Sequence, residues 1–103
     1  MERQVLEIIS ISDLKERFGN DFSRDTRICG DPQIKNYSKL ETHCTPYIEM
    51  AKTEEKSKKR IKKEIRRYAR KINADLAVVE STNTHYPNNT FSQDVIYYNK
   101  ISN

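Results

Sequence analysis

Apolar residues along this chain are grouped in distinct patterns, and each predicts its own kind of element. Val5, Leu6, Ile8, Ile9 and Ile11 form a β-branched run of strand length, too dense for a half-exposed helix, and predict a strand over 4–11. Ser12 and Asp13 then supply a cap acceptor and an acidic first turn, Leu14 and Phe18 lie four apart on one face, and Gly19 follows, so 12–18 reads as a short helix. No period persists from 19 to 36, where Phe22, Ile28 and Ile34 are isolated among polar residues. A loop of that length in a compact domain marks either a functional segment or an element that patterning does not expose.

Alternation returns at Leu40, Thr42 and Cys44, and Ile48 and Met50 keep the same parity beyond Pro46. The stretch 37–51 therefore reads as a strand, placed at a sheet edge or bent at the proline, which has no N–H to give to a ladder. Thr53 followed by Glu54 and Glu55 is a helix start: a hydroxyl cap with two acids at the positive helix end. Ile61, Ile65, Tyr68, Ala69 and Ile72 recur at helical spacing, forming one apolar stripe about 100° wide on a helix over 54–73, which Asn73 closes in a left-handed conformation. Leu76 to Val79 is the near-continuous apolar run of an interior strand, 81–93 reads as a polar loop, and Val95 to Ile101 reads as a last strand antiparallel to the one before.

The predicted order is β-α-β-α-β-β. The fold class is α+β in two layers: a mixed or antiparallel sheet of three to four strands, with the long helix across one face and a short helix beside it. The second sheet face then needs a cover, from the short helix, the 19–36 segment or another subunit, which leaves room for a homodimer.

Composition narrows this picture. A chain of 103 residues with 35% hydrophobic residues, no Trp, two Gly and three Pro fits a single domain, 1–103, with one small core. No apolar stretch approaches the roughly 20 residues that cross a bilayer, and no secretory leader pattern stands at the start, so the expectation is a cytoplasmic protein without a membrane span. In that compartment Cys29 and Cys44 read as free thiols, and the sequons at Asn36 and Asn88 carry no weight.

Charge is the most unusual feature. Between Lys56 and Lys71 the sequence KSKKRIKKEIRRYARK places ten basic residues and one acid in sixteen positions, a net +9 in a chain of net +4, so all other residues together sum to −5. Such polarisation implies an anionic partner, nucleic acid or an acidic protein. Lys59, Lys62, Lys63, Arg66, Arg67 and Arg70 are the candidate contacts, on the side of the helix away from its apolar stripe. The bland reading is that Lys and Arg are good helix formers and stay solvated; the near absence of acids four residues away to relieve repulsion favours a partner. No GxxG clamp, RNP aromatic pattern or zinc-finger spacing accompanies the cations. Tyr97 and Tyr98 offer a stacking platform only in part, because neighbours in a strand face opposite ways and one of them belongs in the core.

The stretch from Arg66 to Lys100, with RRYARKINADLAVVES, a polar loop and then DVIYYNK, resembles a pattern of small bacterial stress-associated families, among them the outer-membrane stress-sensor lipoproteins of the Rcs phosphorelay and small periplasmic stress proteins. There an amphipathic helix ends at a glycine-containing turn before a valine-rich strand and a closing strand; here Ile72-Asn73-Ala74-Asp75 holds the turn without the glycine. The resemblance implies a non-enzymatic sensing or interaction domain and transfers no catalytic residue.

Other candidate chemistry is sparse. Cys29, His43, Cys44 and His85 are the residue types of a tetrahedral zinc set but lack CxxC or HxxxH spacing, and Cys44 with His43 or His85 is a nominal thiol–base pair. Asp75 and Glu80 flank the apolar strand as a nominal acid pair, more simply read as solvating its ends. The expectation is a protein with no catalytic residues, no metal and no cofactor, acting as a binding domain; the alternative is a protein-interaction or oligomerisation module.

Overall fold

The structure is a computed structural model that describes residues 6–23 and 30–101. It is a mixed α+β domain whose principal sheet runs in the order β1 (Glu7–Ser10), β6 (Leu76–His85), β7 (Thr90–Lys100), β4 (Tyr37–Cys44). β1 pairs parallel to β6, and the remaining neighbours are antiparallel. β5 (Ile48–Glu49) continues the β4 edge along β7 after Pro46 and Tyr47 interrupt it, so the proline sits at an edge as its missing N–H requires.

Adjacent residues of β7 go to opposite faces, and both faces are filled. On the first, Val95 and Tyr97 pack with Ala77 of β6 under Ile61, Ile65 and Ala69 of α2 (Glu54–Ile72). On the second, Ile96 and Tyr98 pack with Leu76 and Val78 under Leu14 of α1 (Leu14–Phe18) and Ile34 of a small hairpin, β2 (Phe22–Ser23) with β3 (Gln33–Ile34). The domain thus has a third partial layer in place of the two expected, supplied by α1 and the described β2 and β3 strands. Cover for the second face comes from the chain itself, which removes the apolar reason for seating another subunit there. Tyr98 anchors this cover, its buried hydroxyl donating to the Pro32 carbonyl at 2.5 Å.

α2 begins and ends where its sequence signals lie. The Thr53 hydroxyl accepts from the Lys56 N–H at 3.2 Å, and Asn73 takes φ 57° and ψ 43°, the left-handed conformation that most often falls to glycine. With Gly scarce, Asn36 and Asn89 also hold positive φ, each at a turn. Before α1, a single 3-10 turn over Ile11–Asp13 replaces the expected start at Ser12, with the Ser10 hydroxyl donating to Asp13.

Two expectations need correction. The segment 81–93 is not a loop: β6 and β7 remain paired out to His85 and Thr90, and only Tyr86–Asn89 turn, closed by the Asn89 N–H on the Tyr86 carbonyl at 3.2 Å. Residues 81–85 are polar and largely exposed, and Phe91, which joins the α2-side cluster, does not by itself make an alternation for patterning to detect. The second correction concerns β4, where a bulge between Lys39 and Glu41 reverses the parity. Glu41 and His43 lie on the α2 face opposite Tyr97 and Val95, while Thr42 and Cys44 lie on the other face opposite Ile96 and Asp94. Leu40, at the bulge, is 40% exposed.

Candidate nucleic-acid interface

α2 is held from below. Ile61, Ile65 and Ala69 are buried, Tyr68 and Ile72 are half-buried, and this fixes the rotation of the helix about its axis. The opposite side is a continuous cationic face: Lys59, Lys63, Arg66, Arg67 and Arg70 all project outward and are exposed. From Lys59 to Arg70 the helix rises about 17 Å at 1.5 Å per residue. Among the described residues, no carboxylate lies within ion-pair range of Lys59, Lys63, Arg66, Arg70 or Lys71. Their mutual repulsion is therefore unrelieved within the described domain.

Two of the predicted contacts differ from the rest. Arg67 pairs with Glu64 at 3.6 Å, so part of its field is spent within the helix. Lys62 turns to the β1 flank, where with Lys58 it borders an open groove of about 380 Å³ floored by Ile8, Ile65 and Val79. Arg60, on the other flank, is tied down by donating to the Glu49 carbonyl at 3.2 Å.

Beside the cationic face, above the β4 edge, lies a group of residues that the sequence did not bring together. The Tyr68 ring stacks on the His43 imidazole with centroids 3.7 Å apart and planes 4° from parallel, and the Tyr68 hydroxyl donates to the Glu41 carboxylate. That bond, with burial adding, raises the Tyr68 phenol above its ordinary pKa. Behind it stands Tyr97, 5.3 Å away ring to ring, its buried hydroxyl without a hydrogen-bond partner among the described residues. Burial pushes the Tyr97 phenol far above the ordinary range, with Tyr68 and Glu41 adding. No local sequence pattern announces this group, because it depends on the bulge at Leu40, which sends Glu41 and His43 toward α2.

Tyr97 and Tyr98 are both fully buried, so neither is a stacking platform. The described members of the nominal zinc set do not converge: His43 is on the α2 face, Cys44 on the opposite face, and His85 bonds the Tyr47 hydroxyl at 3.0 Å near the arm's end. Cys29 lies outside the described residues. The Cys44 thiol neighbours the Ser92 hydroxyl at 3.6 Å and donates to the Asp94 carboxylate, with neither histidine side chain beside it. Asp94 itself is held below the usual carboxylate range by hydrogen bonds from Ser81, Asn83 and Cys44. Asp75 accepts the Lys100 N–H at 2.7 Å, a structural bond at the strand end. No group of three metal-ligating side chains exists among the described residues. No helix among them is long and apolar enough to cross a membrane.

Comparison with protein-family models, with curated proteins and with solved structures finds no significant match to this chain.

Proposed function

We propose that the domain is a non-catalytic binding module whose α2 face docks on the phosphate backbone of a nucleic acid, with a cytoplasmic location as the corollary. The observation that carries this reading is the row Lys59, Lys63, Arg66 and Arg70: outward, contiguous, and without carboxylate partners among the described residues. The four cations of the row, about 17 Å long, together with Arg67 beside it, offer about five charges to successive phosphates. Arg67 and Lys62 extend the contact to either side of the row. The buried underside keeps the helix straight and in place, so docking orders only the ends of exposed side chains.

Phosphate contacts of this kind release counterions, so affinity falls steeply with salt and is indifferent to base sequence. The resemblance carried by residues 66–100 to stress-associated families implies a role that needs no catalytic residue. Fluorescence anisotropy with a labelled oligonucleotide tests the reading. With about five contacts, the logarithm of affinity falls against the logarithm of salt with a slope of about −3.5 for a single strand and about −4.5 for a duplex. Replacing Lys63, Arg66 and Arg70 by Glu abolishes binding and leaves the fold intact. Binding insensitive to salt, or retained after charge reversal, overturns the reading. It then transfers the question to an acidic protein partner or a homodimer, which light scattering and partner capture resolve.

A further inference from the structure

Phosphate docking alone would make no distinction between paired and unpaired bases, yet the α2 face borders an aromatic surface. The rings of Tyr97, Tyr68 and His43 lead outward from the core to the edge strand β4: Tyr97 is fully buried, Tyr68 half-buried against it, and the imidazole stacked flat on Tyr68. β4 has β7 on one side and no paired strand on the other among the described residues. The imidazole is the outermost ring of this series and half-exposed, and no other described ring stacks on it. Its inner face is fixed by Tyr68, which the Glu41 carboxylate holds in turn through the phenol hydroxyl. Lys71 follows Tyr68 by one helical turn and has no carboxylate partner among the described residues, so a cation stands beside the rings.

Two other aromatic pairs reach the surface and lack this setting: Phe18 and Tyr37 meet edge to face on the α1 side of the sheet, with the Arg17 guanidinium over Phe18. Tyr47 and His85 meet edge to face at 84°, and His85 pairs with Thr90 on the sheet face opposite α2. Among these described surface pairs, the His43–Tyr68 stack is the one on the same sheet face as α2 and its cations.

We infer that the imidazole of His43, backed by Tyr68, is a stacking site for an unpaired nucleobase, so that the domain prefers single-stranded nucleic acid whose backbone runs along α2. This rests on the phosphate-docking reading and adds to it a base contact that a duplex, with its bases already stacked, is unable to make. The stack tolerates any base, because every base has a flat π-face.

The test compares three probes: a short single strand of mixed sequence, the same strand with abasic sites throughout, and a duplex. Wild-type protein binds the single strand tightest, and the His43 ring protons move upfield in NMR spectra with the single strand but not with the abasic strand. His43→Ala lowers single-strand affinity roughly five- to a hundred-fold, the range of one base–aromatic stack, and leaves duplex and abasic affinities unchanged. His43→Phe, which keeps a flat ring, restores most of the loss, a rescue that a merely structural role of the histidine would not give. If His43→Ala weakens all three probes equally, or none, while wild-type binding remains salt-dependent, the stacking site is wrong and phosphate docking stands. If wild type binds no probe even at low salt, both fall together.

Discussion

The two faces of the sheet are closed in different ways, and adjacent residues of β7 show how. Tyr98 faces the side covered by α1 and the small β2–β3 hairpin, and its hydroxyl is bonded to the Pro32 carbonyl. Tyr97 faces the side covered by α2, and its hydroxyl is buried with no partner among the described residues. Short pieces of chain are entirely used in covering the first of these faces and need a specific polar anchor to stay in place. A nineteen-residue amphipathic helix covers the other with one stripe and keeps the remainder of its circumference for other work. The candidate function belongs on the side where the covering element has a free half.

That comparison breaks most readily in the core. Leu14 and Ile65 are both 0% exposed, on opposite faces, and truncating either to Ala is expected to cost roughly 2–5 kcal/mol in urea unfolding. A negligible cost for Leu14→Ala would mean that the α1 side is not a true core. The tyrosines sharpen the contrast. Tyr98→Phe strands the buried Pro32 carbonyl and is expected to cost about 1–3 kcal/mol, whereas Tyr97→Phe removes an unsatisfied hydroxyl and is expected to be neutral or stabilising. Equal losses from the two would erase the distinction.

A smaller effect is expected at the end of α2. Asn73→Ala places a β-carbon in the left-handed region and should cost about 1–2 kcal/mol, while Asn73→Gly should cost nothing, as read by thermal unfolding. The smallest effect is electrostatic. Asp94 has its folded pKa depressed, so its contribution to stability is present above the unfolded carboxylate value and is lost as pH falls through the folded value. Asp94→Asn should lower stability modestly at neutral pH, where the ionised carboxylate contributes, and change it least at acid pH, so that this acidic part of the profile flattens; an unchanged acid limb would show that the bonds from Ser81 and Asn83 contribute little.

The sequence made α2 legible because every level agreed there: the Thr53 cap, the Ile61–Ile65–Ala69 stripe and the Asn73 stop are local signals of one element. The apolar runs of β1, β6 and β7 were readable for the same reason. What escaped was set at a distance. Residues 81–85 and 90–93 pair as strands through backbone bonds, the first group largely solvated and the second holding Phe91 as its one apolar residue, so their polarity resembled a loop. The β2–β3 hairpin pairs only Phe22 with Ile34 and Ser23 with Gln33, too few residues to show a period. The bulge at Leu40 turned Thr42 and Cys44 outward and Glu41 and His43 toward α2, so the cations of the candidate site could be read in advance but the ring stack beside them could not.

The central claim is that the free half of α2 is an anion-binding face, and heteronuclear NMR titration addresses it most directly. Isotope-labelled protein is titrated with a short mixed-sequence oligonucleotide at roughly 50 and 200 mM salt, a range over which phosphate contacts lose most of their affinity. The account predicts shifts at Lys59, Lys63, Arg66 and Arg70 that fade at the higher salt, with Leu14 and the α1 side unmoved. Shifts confined to the α1 side, or none on α2 at either salt, would contradict it.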